Sequence, residues 1–406
     1  MLCTGWAIMT HIKNNKEKNK IAVVAGILIL LAVLFGMRFI MLKMQSSKSV
    51  HNEDREEVSV LETNEVFSIK ESELISEDEK LDKHPYDFTV CFAGDINLDE
   101  EWGTTAFLDG KENGIYDCIS EDLMYEMQNA DIMCLNNEFT YSLGGEKMPG
   151  KAYTFRAKPE RVEVLKQMGV DVVKLANNHS FDYGSQSLLD TLDTLEQAKI
   201  EYFGAGRNLD EAMRPVYIEK DGKIIAFVGA SRAEKNIMTP QAGENEPGIL
   251  RCYDTELFIE TIKEADKNAD FVLAYVHWGT EYSYQLEEVQ LTTGKEYLDA
   301  GADVVIGAHS HCLQGMEFYK GKPIIYSLGN YWFNGKTLDT MLVKLHFYGD
   351  DDENGLDIEV VPAIQSGYQT KRVSEKSEKE RIFSFLEEIS INVEIDVNGC
   401  VLEKEE

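Results

Sequence analysis

From about position 87 onward, short apolar runs recur along the chain. Each is followed by a small or polar cluster and then by a longer stretch with helical spacing. The short runs are mainly apolar, and 303–306 is β-branched and apolar in the pattern of a strand covered on both faces. They fall at 87–93, 131–135, 171–175, 224–229, 271–276, 303–306 and 323–327. Segments 118–130, 159–168, 184–198, 254–267 and 287–300 place apolar residues three and four apart and are predicted to be helices. Two more strand-like runs, 341–347 and 356–361, and a helix over 375–390 complete the pattern. Helices alternating with apolar strands argue an α/β domain with a largely parallel sheet core.

A different pattern precedes this one. Positions 21–37 carry no charge, Arg38 interrupts, and 39–42 resumes. As a helix, residues 21–42 would span about 33 Å, enough to cross a bilayer, with Arg38 snorkelling at one end. A cleaved signal peptide is the other reading, but no small-x-small cleavage site follows, where Met41, Leu42, Lys43 and Met44 stand. Lys13, Lys16, Lys18 and Lys20 place the N-terminus in the cytoplasm. Residues 43–86 are rich in Glu and Asp and poor in aromatics, as a solvated linker is. The expected organisation is a cytoplasmic N-terminus (1–20), a transmembrane anchor (21–42), an acidic linker (43–86), a folded domain (87–345) and a C-terminal extension of that domain (346–406). The protein is thus expected in the cell membrane, single-pass, with its C-terminal domain extracytoplasmic.

Composition narrows the partners. A formal net charge of −32 over 406 residues argues against nucleic acid, and any grip on an anionic polymer has to be local. The seven cysteines form no CxxC pair and no disulfide framework. Cys312, directly after His311, is the one cysteine kept as an outside candidate ligand.

The candidate chemistry lies at strand ends. The run 303–306 leads into Gly307-Ala308-His309-Ser310-His311. Alternate histidines in extended backbone point to opposite sides, so a sharp turn at Gly307 and its small neighbours is expected before both can meet one ion. Asp95, Glu138, Asn178, His179, His277, His309, His311 and Asn330 all fall just past a predicted strand, the edge at which open α/β sheets bind ligands. Taken singly, Asp95 or Asn178 reads equally as a cap or turn former, Glu138 as a solvated acid, and His277 as a core histidine beside Trp278. Together they are the ligand types of Zn, Mn and Fe(II). A carboxylate between two such ions could bridge them, and the pair could clamp a phosphate. His179, beside Asn178, reads as a general acid or transition-state donor.

Gly94-Asp95, Asn137-Glu138, Asn177-Asn178-His179 with Asp182-Tyr183-Gly184, His277-Trp278-Gly279, Gly307-Ala308-His309-Ser310-His311 and Leu328-Gly329-Asn330 occur in order. This series resembles the bacterial CapA family of capsule synthesis proteins over about 87–335. The resemblance implies a calcineurin-like metallophosphoesterase fold, a four-layer αββα sandwich, and ties to capsular poly-γ-glutamate, with other synthase subunits and an anionic polymer as partners. It further implies Asp95, Glu138, Asn178, His277, His309 and His311 as ligands of one or two divalent ions (Mn, Zn or Fe), and His179 as catalytic. Two departures stand out: Asn97 falls where the metallophosphatase pattern has a histidine, and Glu138 where it has the bridging aspartate. Asn97, Glu281 and Asn330 are expected to bind substrate, Glu281 also as a compensating carboxylate.

Overall fold

The computed structural model describes residues 85–234, 237–350 and 354–404. The principal strands are β1 (Tyr86–Ile96), β2 (Ile132–Asn137), β3 (Val172–Lys174), β4 (Glu201–Phe203), β5 (Val216–Lys220), β6 (Lys223–Ser231) and β7 (Phe271–His277). They continue as β8 (Val304–Ala308), β9 (Leu313–Tyr319), β10 (Lys322–Leu328), β11 (Asn330–Trp332), β12 (Leu338–Gly349), β13 (Asn354–Ser366) and β14 (Gln369–Arg372). One sheet has the order β14-β13-β12-β1-β2-β3-β4, with β11 also paired to β1; the other has the order β9-β10-β8-β7-β6-β5.

Three apolar clusters separate four layers. Along β1, Cys91 and Ala93 face outward while Phe88, Val90 and Phe92 face inward, the two-residue alternation of a strand. The outward set packs under α1 (Gly103–Asp109), α2 (Glu121–Gln128), α3 (Val162–Gln167) and α4 (Gly184–Ala198), through residues such as Leu108, Leu123, Leu165 and Leu192. The inward set meets Phe227, Leu273, Tyr275 and Ile306 of the second sheet. Beyond that sheet, α5 (Leu209–Met213), α6 (Glu256–Asn268) and α7 (Glu288–Ala300) pack Ala212, Phe258, Ile262 and Tyr297 onto Val228, Val272 and Val305. The final helix, α8 (Lys376–Glu388), adds Ile382, Phe383 and Leu386 to the inter-sheet cluster.

The sheets are mixed rather than largely parallel. β1 to β4 and β6, β7, β8 and β10 pair in parallel, whereas β12 to β14, β5 and β9 pair antiparallel at the margins. The cause is connection length. Only Lys320 and Gly321 link β9 to β10, too few residues for a crossover, so those strands must form a hairpin. The break expected at 345 falls inside β12.

The apolar run 21–42 lies outside the described residues. Among the described residues no helix is long and apolar enough to cross a membrane. Among the described residues the three clusters draw on Tyr86 onward. Because 43–86 is acidic and poor in aromatics and offers a core little apolar surface, removal of residues 1–84 is expected to leave a soluble protein with a cooperative melt. Aggregation of the truncated chain, measured by light scattering and calorimetry, would refute this.

Candidate metal centre

Strand ends from both sheets converge on one place. At the tip of β1, a Cβ on Gly94 would lie 1.9 Å from the Gly329 carbonyl oxygen, so only glycine permits the approach. Asp95 N–H donates to that same carbonyl at 3.0 Å, and Asn330 is the register partner of Asp95. On β8, a Cβ at Gly307 would lie 1.9 Å from Tyr326 O. Gly307 is therefore a packing residue inside the strand, not the expected turn. The histidines themselves make the bend: His309 has φ +99° and His311 φ +55°. Left-handed backbone at such residues costs of order 1–3 kcal/mol each and persists only where the surroundings impose it. Here Ser310, between them, donates its hydroxyl to Cys312 O at 2.7 Å and meets Ser327 Oγ at 2.8 Å.

This bend sends the two imidazoles to different neighbours rather than to one ion. His309 groups with Glu138 and His277, and His311 with Asp95 and Glu138, the ligand atoms of each group lying within 4.8 Å of one another. Glu138 belongs to both groups. Its Oε2 accepts from Asn136 Nδ2 at 3.0 Å. Its Oε1 is buried without a hydrogen-bond partner, 3.6 Å from His277 Nε2, 3.9 Å from His311 Nε2 and 4.0 Å from His179 Nε2. Bonds of about 2.0–2.2 Å to a shared ion place neighbouring ligand atoms roughly 3–4 Å apart, as these are.

The electrostatics agree. Burial, then the adjacent Asp95, pushes the Glu138 carboxyl well above the usual carboxylate range. For Asp95 burial acts upward too, but His311 and Lys174 outweigh it and hold the carboxyl below its ordinary value. Burial and Lys174 push His277 well below the usual imidazole range, and burial with His311 pushes His309 down to about 3. Both rings are thus neutral, as ligands must be. His311 runs the other way: burial acts downward, but Asp95, with its Oδ2 at 3.2 Å from Nδ1, raises it. A carboxyl buried without a partner is costly to ionise, and a cation among these donors removes that cost.

Asn178 joins the Glu138–His277–His309 group, its Oδ1 lying 2.7 Å from His277 Nε2. Asn177 braces the neighbouring strand end, donating to Asn136 Oδ1 at 3.1 Å and Asn137 O at 2.8 Å. His179 sits beside the set with its Nδ1 2.7 Å from Asp182 Oδ2, and Asp182 Oδ1 lies 2.7 Å from the buried Lys151 Nζ. Asn97 is buried, its Oδ1 accepting Asp99 N–H at 2.7 Å, and Asn330 Oδ1 lies 2.8 Å from His311 Nδ1. Glu281 is exposed and belongs to neither ligand group, but its charge acts on His311 and Glu138, raising the pKa of both. Cys312 is buried and free, outside both groups, with its thiol pushed up to about 11 by burial.

Lys174 was missed from sequence. It is fully buried on β3, with Nζ 3.1 Å from His277 Nδ1 and 4.3 Å from the Tyr275 ring centroid. Burial pulls its amine down to about 7 against the opposing pull of Asp95 and Glu138. The signal was present: a lysine inside the apolar run Val172-Val173-Lys174-Leu175 demands a reason. Asp182, just before α4, and Asn136, within β2, act through their neighbours, and their placing along the chain alone does not single them out.

A family model described as bacterial capsule synthesis protein PGA_cap matches residues 89–335, which hold every residue of the two ligand groups. The chain is 34% identical over 268 residues to the capsule biosynthesis protein CapA of Bacillus anthracis, covering 63% of this chain and 64% of that one. It is 37% identical over 204 residues to the PGA biosynthesis protein CapA of Bacillus subtilis (strain 168), covering 49% and 53%. The chain thus spans between half and two thirds of the length of these relatives. Among solved structures, the NAD nucleotidase of Haemophilus influenzae aligns with a TM-score of 0.39 and 11% identity, over 76% of this chain and 64% of that one. That likeness is too slight to bear on the argument. The matched span, containing the converging strand ends, shows that the chain belongs to the bacterial capsule synthesis protein family PGA_cap.

Proposed function

We propose that this chain is a membrane-anchored, extracytoplasmic protein of capsule or poly-γ-glutamate biosynthesis, with a metal-dependent hydrolytic centre of phosphoesterase type. The observation that carries the hydrolytic part is Glu138 Oε1, buried, unpartnered and within 4.0 Å of three imidazole Nε2 atoms. Glu138, His277, His309 and Asn178 would hold one divalent ion, and Asp95, Glu138 and His311 a second; Mn, Zn and Fe(II) suit such donors. When bound, such ions supply Lewis acidity and a hydroxide near neutral pH. Asp182 fixes the His179 ring through Nδ1, which leaves Nε2 facing the centre as a proton donor to a leaving oxygen. Lys151 holds Asp182 in place from its other oxygen. The substrate is a phosphoester or a linkage of an anionic polymer, and the partners are other subunits of a membrane synthase. The names of the two Bacillus relatives support the biosynthetic half, and the apolar run 21–42 supports the anchor.

The test is His179→Ala. Turnover of a phosphodiester should fall roughly 10²–10⁴-fold with metal content unchanged. Undiminished turnover would refute the hydrolytic role. Loss of polymer output in cells carrying the variant would tie hydrolysis to synthesis, whereas normal output would assign the chain to assembly. Protease added to intact protoplasts should remove the domain from 87 onward, and full protection would overturn the orientation.

A further inference from the structure

The ligand groups are unequal. With Asn178, the Glu138–His277–His309 group offers four donors, whereas the other group offers Asp95, Glu138 and His311 and then runs out. Asn97 does not complete it. Its Oδ1 is committed to Asp99 N–H, so the group it leaves free is its Nδ2, which is buried and without a partner. Asn330 repeats the arrangement. Its Oδ1 is committed to His311 Nδ1, and its Nδ2 is also buried and unpartnered. Both residues flank Asp95 along the backbone: Asn97 lies two residues further along the chain, with its N–H on Trp332 O at 3.1 Å, and Asn330 is the register partner of Asp95 on β11. The tie between His311 and Asn330 suits a histidine that binds metal through Nε2 and donates its Nδ1–H outward.

An amide NH₂ cannot ligate a cation; it can only donate. Two buried, unused donors beside an incomplete ligand set have the polarity to receive an anionic oxygen. We propose that the Nδ2 groups of Asn97 and Asn330 form a cradle for an oxygen of a substrate oxyanion bound at the Asp95–Glu138–His311 ligand set. In this chain a substrate oxygen is thereby held where the metallophosphatase pattern holds its metal with a further histidine. An NH₂ buried without an acceptor is unfavourable, so the fold retains a standing preference for a bound acceptor. The oxyanion is phosphoryl or carboxylate; both present a planar or tetrahedral set of acceptor oxygens to the same two donors. This inference rests on the metal reading, because with Asp95 and Glu138 uncompensated the site repels anions.

The experiment titrates inorganic phosphate and, separately, glutarate into metal-free and Mn²⁺-loaded protein by calorimetry, with metal uptake measured first. Asn97→Asp and Asn330→Asp keep the committed oxygen and replace the NH₂ by an acceptor. Asn97→Ala and Asn330→Ala remove the donor without adding charge. Each Ala variant should weaken the preferred anion roughly 10-fold to 100-fold at full metal content, and each Asp variant more. Phosphate as the tighter wild-type ligand marks a phosphoryl substrate, and glutarate a carboxylate one; either supports the cradle. Variants that take up metal fully and bind both anions as tightly as wild type would overturn it, the amides then being merely hydrated. Wild-type protein that takes up no metal would overturn the metal reading and this inference together.

Discussion

Glu138→Gln is expected to make the metal-free domain more stable and the metal-loaded domain much less so. In the absence of metal, Glu138 brings a carboxylate into a fully buried site beside Asp95, with one oxygen unpartnered. Its folded pKa lies well above the usual carboxylate value, so the folded chain keeps a proton that the unfolded chain has lost. That contribution is fully present below about pH 4.3, the unfolded value, and is lost as pH rises through the folded value. Gln has the same shape and no charge, so its advantage over wild type should widen as pH rises, reaching about 1–4 kcal/mol. With metal the sign reverses. An ion at a thousand times its Kd stabilises the folded state by about 4 kcal/mol, and Glu138 is the one residue shared by both ligand groups. The variant should lose most of that gain. Melting curves with and without Mn²⁺ or Zn²⁺, repeated from pH 5 to 8, test both halves. Equal metal-induced gains in the two proteins would eliminate the metal centre.

The same experiment separates the histidines. From sequence alone, metal affinity is expected to fall below about pH 6.5, where a free imidazole gains its proton. The structure divides the set instead. His277 and His309 are depressed and stay neutral in mild acid, whereas His311 is raised by Asp95 and takes up its proton earlier on the way down. The loss of affinity should therefore begin above pH 6.5 and reflect the Asp95–Glu138–His311 group first.

The metal-competent residues were legible because each ends an apolar run, and a run of that kind needs no knowledge of its neighbours to be recognised. Their distribution over two sheets was not legible from those runs. Asp95, Glu138, Asn178 and His179 lie at or beyond the ends of strands of one sheet, and His277, His309 and His311 at or beyond the ends of strands of the other. No spacing along the chain states that β1 and β7 face each other; the contact of Phe92 with Tyr275, ring centroids 5.7 Å apart, does. The edge strand β5 was passed over because its burial alternates and only one face meets the core, leaving Tyr217 and Glu219 outward. The conformation of His309 and His311 was also out of reach, since their strain is imposed by Gly307 packing on Tyr326 and by the Ser310–Ser327 contact, both long-range.

Ending the chain at residue 345 is expected to abolish folding, although the family match stops at 335. β12 is the antiparallel neighbour of β1, paired from Tyr86↔Gly349 to Ala93↔Leu342. A stop at 345 removes its last four residues and all of β13, β14 and α8. Phe347 would be lost from its stack on Phe88, ring centroids 5.3 Å apart, and from Phe271 at 4.7 Å. Ile358, Val360, Phe383 and Leu386 would go with it, all buried in the inter-sheet cluster. Each such side chain contributes about 1.5–3 kcal/mol by burial, so these five together contribute roughly 8–15 kcal/mol. A domain of this kind has about 5–15 kcal/mol in all. The remaining stub of β12 would also present an unpaired edge, a template for aggregation. Asp95 sits at the tip of the strand that β12 supports, so the metal-dependent rise in melting temperature should vanish with the fold. Expression of residues 85–345 beside 85–406 measures this: the longer chain should be soluble with one cooperative, metal-sensitive melt, and the shorter one insoluble. A soluble 85–345 fragment that still gains stability from Mn²⁺ would show that the metal centre is supported by the family-matched segment alone.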